Sequence, residues 1–385
     1  MQIQTFQDLP LTGEILRSIK ELGFESLFPI QAQAIMPLLE GKDVIGQAQT
    51  GTGKTAAFGI PMVQRLNREI RGVQGLILVP TRELAVQVAE NMASFAKYAR
   101  VKVLAVYGGE SINKQIHALS SGVQIVVGTP GRLIDLMERR VLNLGTVKMV
   151  VLDEADRMLD MGFIQDIEFI LSKTPCERQT SLFSATIEQS VMRICNKYMK
   201  NPQKILVSKD EIALTQMKQY YTIVNQHGKF DTLCDIIGSE GVNKAIVFCR
   251  TRRETSRLSD QLYRKGFRTQ ALHAGFTQAQ RDRAISDFRC DRLSLLIATD
   301  VAARGLDIEG ITHIINYDVP MDPPVYFHRI GRTARKGEEG TAITLVSYGE
   351  MSDFNNIKAL TKTKIEEIKS SSASGNDDSP IKSFF

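Results

Sequence analysis

The sequence predicts an α/β protein made of two tandem parallel-sheet domains joined by a short linker. Three observations carry this. Short apolar, β-branched runs alternate with longer amphipathic segments over nearly the whole chain. Most of those runs end in Gly, Pro, Thr or Asp and lead into a helical pattern, and one polar stretch breaks the rhythm near the middle. Runs that are apolar throughout, rather than alternating, mark strands covered by helices on both faces, as in a parallel sheet.

In the first domain, 1–208, the predicted strands are Val44-Ile45, Leu76 to Val79, Val101 to Leu104, Gln124 to Val127, Met149 to Leu152, Ser181 to Phe183 and Ile205 to Val207. Residues 209–217 are polar, belong to neither rhythm and form the linker. The second domain, 218–368, repeats the pattern with Tyr220 to Val224, Ala245 to Phe248, Gln270 to Leu272, Leu295 to Ala298, His313 to Asn316 and Ala342 to Val346. The Ser-rich stretch 369–385 is expected to be a disordered tail.

Composition removes several classes. A hydrophobic content of 43% with 24% charged residues is that of a folded globular chain. No stretch reaches the roughly 18 apolar residues of a membrane span. The first residues, MQIQTFQDLP, lack the basic and apolar regions of a secretory signal. Five scattered cysteines and five dispersed histidines give neither a disulfide framework nor a metal-ligand pattern, so a cytoplasmic protein with reduced thiols is expected. The net charge of +5 is mild, with 23 basic against 20 acidic residues in the first domain. Charge therefore neither proposes nor excludes a nucleic-acid partner.

Motifs are more informative. Ala48-Gln49-Thr50-Gly51-Thr52-Gly53-Lys54-Thr55 follows the Val44-Ile45 strand and opens a helix, in the register A-x4-G-K-T. Backbone N–H groups of Gln49, Thr50, Gly51, Thr52 and Gly53 would face phosphates at a helix N-terminus. Lys54 would reach the β- and γ-phosphates, and Thr55 would ligate Mg²⁺. The strand Met149 to Leu152 delivers Asp153-Glu154-Ala155-Asp156 at its carboxyl end, where open α/β sheets place ligand-binding residues. Asp153 would bind Mg²⁺, and Glu154 would orient and deprotonate the attacking water. The second domain has no phosphate loop, but His328 to Arg335 holds three arginines. Arg332 and Arg335, three apart, would share a helix face and neutralise transition-state charge on a phosphoryl group. These residues predict a first domain that binds and hydrolyses a nucleoside triphosphate.

An ordered set of motifs then resembles the DEAD-box RNA helicases of superfamily 2. It runs through Gln31, Ala48 to Thr55, Pro80 to Leu84, Gly108-Gly109, Thr129 to Arg132, Asp153 to Asp156, Ser184 to Thr186, Val247 to Cys249, Gln278 with Arg281, Ala298 to Asp300, Ala303 to Asp307 and His328 to Arg335. The resemblance implies two RecA-like domains and ATP as the nucleotide, with Gln31 reading adenine and Phe6 stacking on it. It implies that Gly305 lies near the γ-phosphate and Asp307 near the ribose. It makes Ser184 and Thr186, bonded to Asp156, the link between hydrolysis and strand separation. RNA would be held by Thr81, Arg82, Gly109, Thr129 and Arg132 on the first domain, and by Arg250, Thr251, Arg281, Thr299 and Asp300 on the second. Hydroxyls, backbone N–H groups and arginines hold phosphate and sugar without reading bases, so binding is expected to be largely sequence-independent.

The chain departs from the family pattern at Leu27-Phe28, at Ala274-Gly275-Phe276 and at Ala334, where altered loop packing rather than lost chemistry is expected. The resemblance implies an RNA helicase in which ATP and RNA together close the two domains and separate short duplexes, and a monomer is the default expectation. Its alternative is an ATP-gated RNA clamp with incidental unwinding, and a DNA translocase of the same superfamily is the more distant rival.

Overall fold

A computed structural model describes residues 4–48, 52–207, 217–239, 242–303, 308, 310–333, 340–361 and 364–368. The chain divides into two compact units, Met1–Lys209 and Asp210–Phe385.

The first unit holds β1 (Val44–Gln47), β2 (Gly75–Leu78), β3 (Val103–Val106), β4 (Ile125–Gly128), β5 (Met149–Asp153), β6 (Gln179–Ser184) and β7 (Gln203–Leu206). They form one seven-stranded sheet in the order β3-β4-β2-β5-β6-β1-β7, and every pairing is parallel. Successive side chains point to opposite faces of a strand, and here both faces are covered. Ile77, Ile125, Val127 and Val151 join one apolar cluster with helices Pro29–Leu39, Lys54–Arg65 and Arg82–Phe95. Leu76, Leu78, Val126, Val150 and Leu152 join the other, with helices Pro130–Glu138 and Ile164–Ser172. This two-sided burial is why the strands read as unbroken apolar runs. Asp43, just before β1, fixes the edge by accepting from the backbone N–H of Thr180 at 2.8 Å and of Lys200 at 2.6 Å.

The second unit holds β8 (Met217–Ile223), β9 (Ala245–Phe248), β10 (Thr269–Leu272), β11 (Leu295–Ala298), β12 (His313–Asn316), β13 (Gly340–Val346) and β14 (Glu366–Glu367). Their order, β10-β11-β9-β12-β13-β8-β14, is that of the first sheet when strands are counted from the start of each unit. The two units thus follow one path.

Several boundaries differ from expectation. Met217, expected in the linker, pairs with Gly340 as the first residue of β8, because its side chain is buried in the second core. Val101 and Lys102 precede β3 rather than opening it. The two-residue β14 carries no hydrophobic run and draws its register from pairing with Tyr220 and Tyr221. Residues 209–216 and the expected tail 369–385 lie outside the described residues. Among the described residues, no helix is long and apolar enough to cross a membrane.

Candidate active site

The order β5-β6-β1 sets three adjacent carboxyl ends on one edge of the first sheet. From them emerge Asp153 to Asp156, Ser184 to Thr186 and the Ala48 to Thr55 loop. Gln49, Thr50 and Gly51 lie outside the described residues. Gly53 caps the Lys54–Arg65 helix at φ +82°, a left-handed conformation that favours glycine. A Cβ there would collide with Gln31 Nε2 and come within 3.0 Å of the Phe28 ring. Lys54 is buried and donates from Nζ to the Ala48 carbonyl at 2.9 Å. Thr55 is half-buried in the first turn of the helix, and Thr52 is half-buried just before it.

Gln31 ties the neighbouring helix to this loop. Its Oε1 accepts from the Phe28 N–H at 2.9 Å, and its Nε2 donates to the Gly53 carbonyl at 3.1 Å. Phe28, a departure from the family pattern, keeps this cap through its backbone. Phe6 lies in the short helix Phe6–Asp8. Its ring is 2% exposed and packs 5.9 Å from Phe24, as part of the first unit's core.

Asp153 is buried at the end of β5, and desolvation pushes its carboxyl up to about 6, with Lys54 opposing the shift. Glu154 sits at φ +52°, in the left-handed region, as N-cap of the short helix Ala155–Asp160. Its Oε2 accepts from Arg157 Nη1 at 2.6 Å, and both side chains are buried. Asp156 turns the other way. Its Oδ2 accepts from the N–H groups of Ala185 at 3.1 Å and Thr186 at 2.9 Å, and from Thr186 Oγ1 at 3.1 Å. Ser184 Oγ accepts from the Asp156 N–H at 3.3 Å and donates to the Thr186 carbonyl at 2.6 Å. The third acid of the tetrad is thereby locked to the loop after β6.

On the same unit, Thr81 caps the Arg82–Phe95 helix by accepting from the Leu84 N–H at 3.3 Å. The Arg82 guanidinium lies against Gly108 and Gly109, and a Cβ on Gly109 (φ +89°) would collide with it. Arg132 donates to the Glu110 carbonyl at 3.2 Å and to Gln115 Oε1 at 3.1 Å. Two arginines expected on RNA thus also brace the loop that carries Gly109. Thr129 is the N-cap of Pro130–Glu138.

In the second unit, Arg250 is 44% exposed along its side chain and donates to the Val319 carbonyl at 3.1 Å. Thr251 caps the Arg252–Arg264 helix, and Arg281 lies half-buried on Gln278–Arg289. Thr299 is buried at the end of β11. Asp300 is held by Arg329, which forks to its two oxygens at 2.6 and 2.8 Å. At the departure 274–276, Phe276 stacks on His273 with centroids 4.3 Å apart, and the Gly275 N–H donates to His273 Nδ1 at 3.1 Å. The expected arginine helix is corrected here. The helix Pro323–Ile330 ends before Arg332, because Gly331, a poor helix former, starts a turn in which the Arg332 N–H donates to the Arg329 carbonyl. Arg332 is buried, at 3% exposure. Arg335, Ala334, Gly305 and Asp307 lie outside the described residues.

The profile of the DEAD/DEAH box helicases matches residues 28–194, and that of the helicase conserved C-terminal domain matches residues 228–337. The chain is 48% identical, over 95% of its own length and 75% of the relative's, to the DEAD-box ATP-dependent RNA helicase CshA of Bacillus licheniformis. The chain belongs to the DEAD-box helicase family. CshA of Bacillus subtilis is 47% identical, with 95% and 74% covered. Among solved structures, S. cerevisiae Dbp5 bound to RNA and ADP BeF3 matches at 34% identity and TM-score 0.87 over 95% of each chain. A DEAD box protein from Methanococcus jannaschii matches at 39% identity and TM-score 0.57, covering 96% of this chain and all of that one.

Within this DEAD-box core, three charged residues went unremarked in the sequence. Arg157 had a signal, since a basic residue three places after Glu154 at a helix start faces it. Arg329 stood among three arginines with nothing to single it out, and its partners Asp300 and Asn316 come from other strand ends. Lys229 is fully buried, donating to the Tyr317 carbonyl at 2.8 Å and Glu350 Oε2 at 2.6 Å, partners that no local pattern announces.

Proposed function

We propose that this chain is an RNA-stimulated ATPase that uses ATP to remodel short RNA duplexes. The observation that carries the proposal is the Asp156 carboxylate, which joins the hydrolytic strand end to the Ser184–Thr186 loop through three accepted hydrogen bonds. A change in the phosphate site at Asp153 and Glu154 is thereby transmitted to the loop after β6. Gln31, bonded to the Gly53 carbonyl, reads the adenine edge. Lys54, with Thr52, Gly53 and the loop residues Gln49, Thr50 and Gly51, holds the phosphates. Glu154 takes the proton of the attacking water. Arg332 and Arg335 supply positive charge to the transferring phosphoryl group, Gly305 and Asp307 complete the nucleotide contacts, and Thr81, Arg82, Gly109, Thr129, Arg132, Arg250, Thr251, Arg281, Thr299 and Asp300 line the RNA path. We place this activity in the cytoplasm and assign it to a monomer with domains 1–208 and 217–368.

The expected result is phosphate release that rises strongly with single-stranded RNA and little with DNA of matching sequence. Equal rates with RNA, with DNA and with neither would overturn the RNA assignment. Stimulation by RNA without any separation of a short duplex would favour the clamp.

Mg²⁺ fits Asp153 and Thr55. A buried carboxyl held up to about 6 by desolvation is a ligand whose charge a divalent cation stabilises. The ion would offset phosphate charge. Because burial raises this pKa, a proton competes with the metal as pH falls through 6. The Mg²⁺ concentration for half-maximal hydrolysis is therefore expected to rise about tenfold per pH unit below that point and stay flat above pH 7. Rate titrations with Mg²⁺ from pH 5 to 8, corrected for proton binding to ATP, check this. A flat dependence would remove Asp153 from the metal site.

A further inference from the structure

Asp153, Glu154 and Asp156 place three carboxylates within four residues, all buried. Each has a separate partner. Asp153 is opposed by the charge of Lys54. Asp156 accepts from Ala185 and Thr186. Glu154 is held by Arg157 at 2.6 Å, with side chains 3% and 5% exposed. The pairs of the same spacing Arg257–Glu254, at 63% and 27%, and Arg132–Asp135, at 13% and 38%, are more exposed. Burying such a pair carries a desolvation cost that a close, well-directed contact offsets. The left-handed backbone of Glu154 turns its carboxylate back over that helix, where Arg157 meets it.

We infer that Arg157 is a positioning residue for hydrolysis, holding the Glu154 carboxylate in the orientation that receives the proton of the attacking water. The inference rests on the reading of Glu154 as the base. In that step the water oxygen bonds to the γ-phosphorus and one water proton moves to Glu154. The bond between the γ-phosphorus and the β–γ bridging oxygen breaks, its electron pair leaving with ADP, and Glu154 then returns the proton to solvent. Arg157 touches none of these atoms and acts through Glu154 alone.

The test is single-turnover hydrolysis of ATP by the full chain with saturating RNA, alongside displacement of a fluorescent ADP analogue. Four variants are compared: Arg157→Met, Arg157→Lys, Glu154→Gln, and Arg157→Met combined with Glu154→Gln. Arg157→Met is expected to slow hydrolysis by about tenfold or more, since a misaligned base loses that much, while nucleotide affinity changes by less than about twofold. Arg157→Lys recovers part of the rate, because charge is kept but the planar fork is lost. On the Glu154→Gln background the Arg157→Met change is expected to cause no further loss. Normal hydrolysis by Arg157→Met, or faster hydrolysis without RNA, overturns the inference. So does the same fold-loss in both backgrounds, which would make Arg157 a folding residue. If Arg157→Met does not fold, Arg157→Lys is tested in the same two backgrounds. A Glu154→Gln variant that turns over normally would instead overturn the base assignment, a distinguishable result.

Discussion

Glu154→Gln is expected to lower RNA-stimulated phosphate release by about 10²- to 10⁴-fold, the usual contribution of a positioned general base, while ATP and RNA still bind. The amide is nearly isosteric with the carboxylate but cannot take a proton at neutral pH. It can still accept the hydrogen bond that Arg157 gives Oε2 at 2.6 Å. Binding groups elsewhere, including Lys54 and Gln31, are untouched. The loss should therefore fall on kcat with KM for ATP little changed, the pattern of an interaction made only in the transition state. Phosphate-release kinetics with a parallel measurement of RNA binding in the presence of ATP check it. A parent-like rate would move the base elsewhere among the tetrad.

Lys229→Met is expected to destabilise the second unit by about 3–5 kcal/mol, because removing one partner of a buried ion pair leaves uncompensated charge. The Lys229 ammonium is fully buried against Glu350 at 2.6 Å, Asp318 at 3.5 Å and the Tyr317 carbonyl at 2.8 Å. Burial pushes the Glu350 carboxyl up, but hydrogen bonds from Lys229 and Ser347 outweigh this and leave it below its ordinary value. The sign follows from that depression. The Lys229 contribution is present above the unfolded glutamate pKa of about 4.3 and is lost as pH falls through the lower folded value. Hydrogen exchange of the Lys229–Ser239 helix and β13 in the full chain should show the lost protection at pH 7 and a narrowing difference in acid. The same network presents an RNA candidate, since Asp318 Oδ2 accepts from the Arg250 N–H at 2.7 Å and Glu350 lies 3.7 Å from its guanidinium. Weaker RNA binding at a temperature where the variant is folded would accompany the effect.

The nucleotide loop and the acidic tetrad were legible because their chemistry is local. A-x4-G-K-T needs its residues consecutive, and Asp153, Glu154 and Asp156 follow one strand. The burial of Phe6 is not legible in the sequence, because it is set by packing on Phe24, a contact that no local pattern announces. Arg332 was placed on a helix from the spacing of its arginines, whereas Gly331 ends the helix one residue earlier. Arg132 and Asp300 carried the right residue type for an RNA path, yet each also has an intramolecular partner that no motif encodes.

By itself, then, the sequence determined the class of the fold and the residues of the phosphate chemistry. Apolar period and strand-end motifs are properties of a few consecutive residues, and helices on both faces of a sheet leave those runs unbroken. The tertiary structure alone decided that both sheets share one strand order, that β5, β6 and β1 bring their ends together, and that Glu154, Asp156, Asp300 and Glu350 each find a specific partner. Such pairings join residues up to 121 positions apart, as Lys229 and Glu350 are. Only the packing of strands and helices fixes the burial that makes such a charge need its partner.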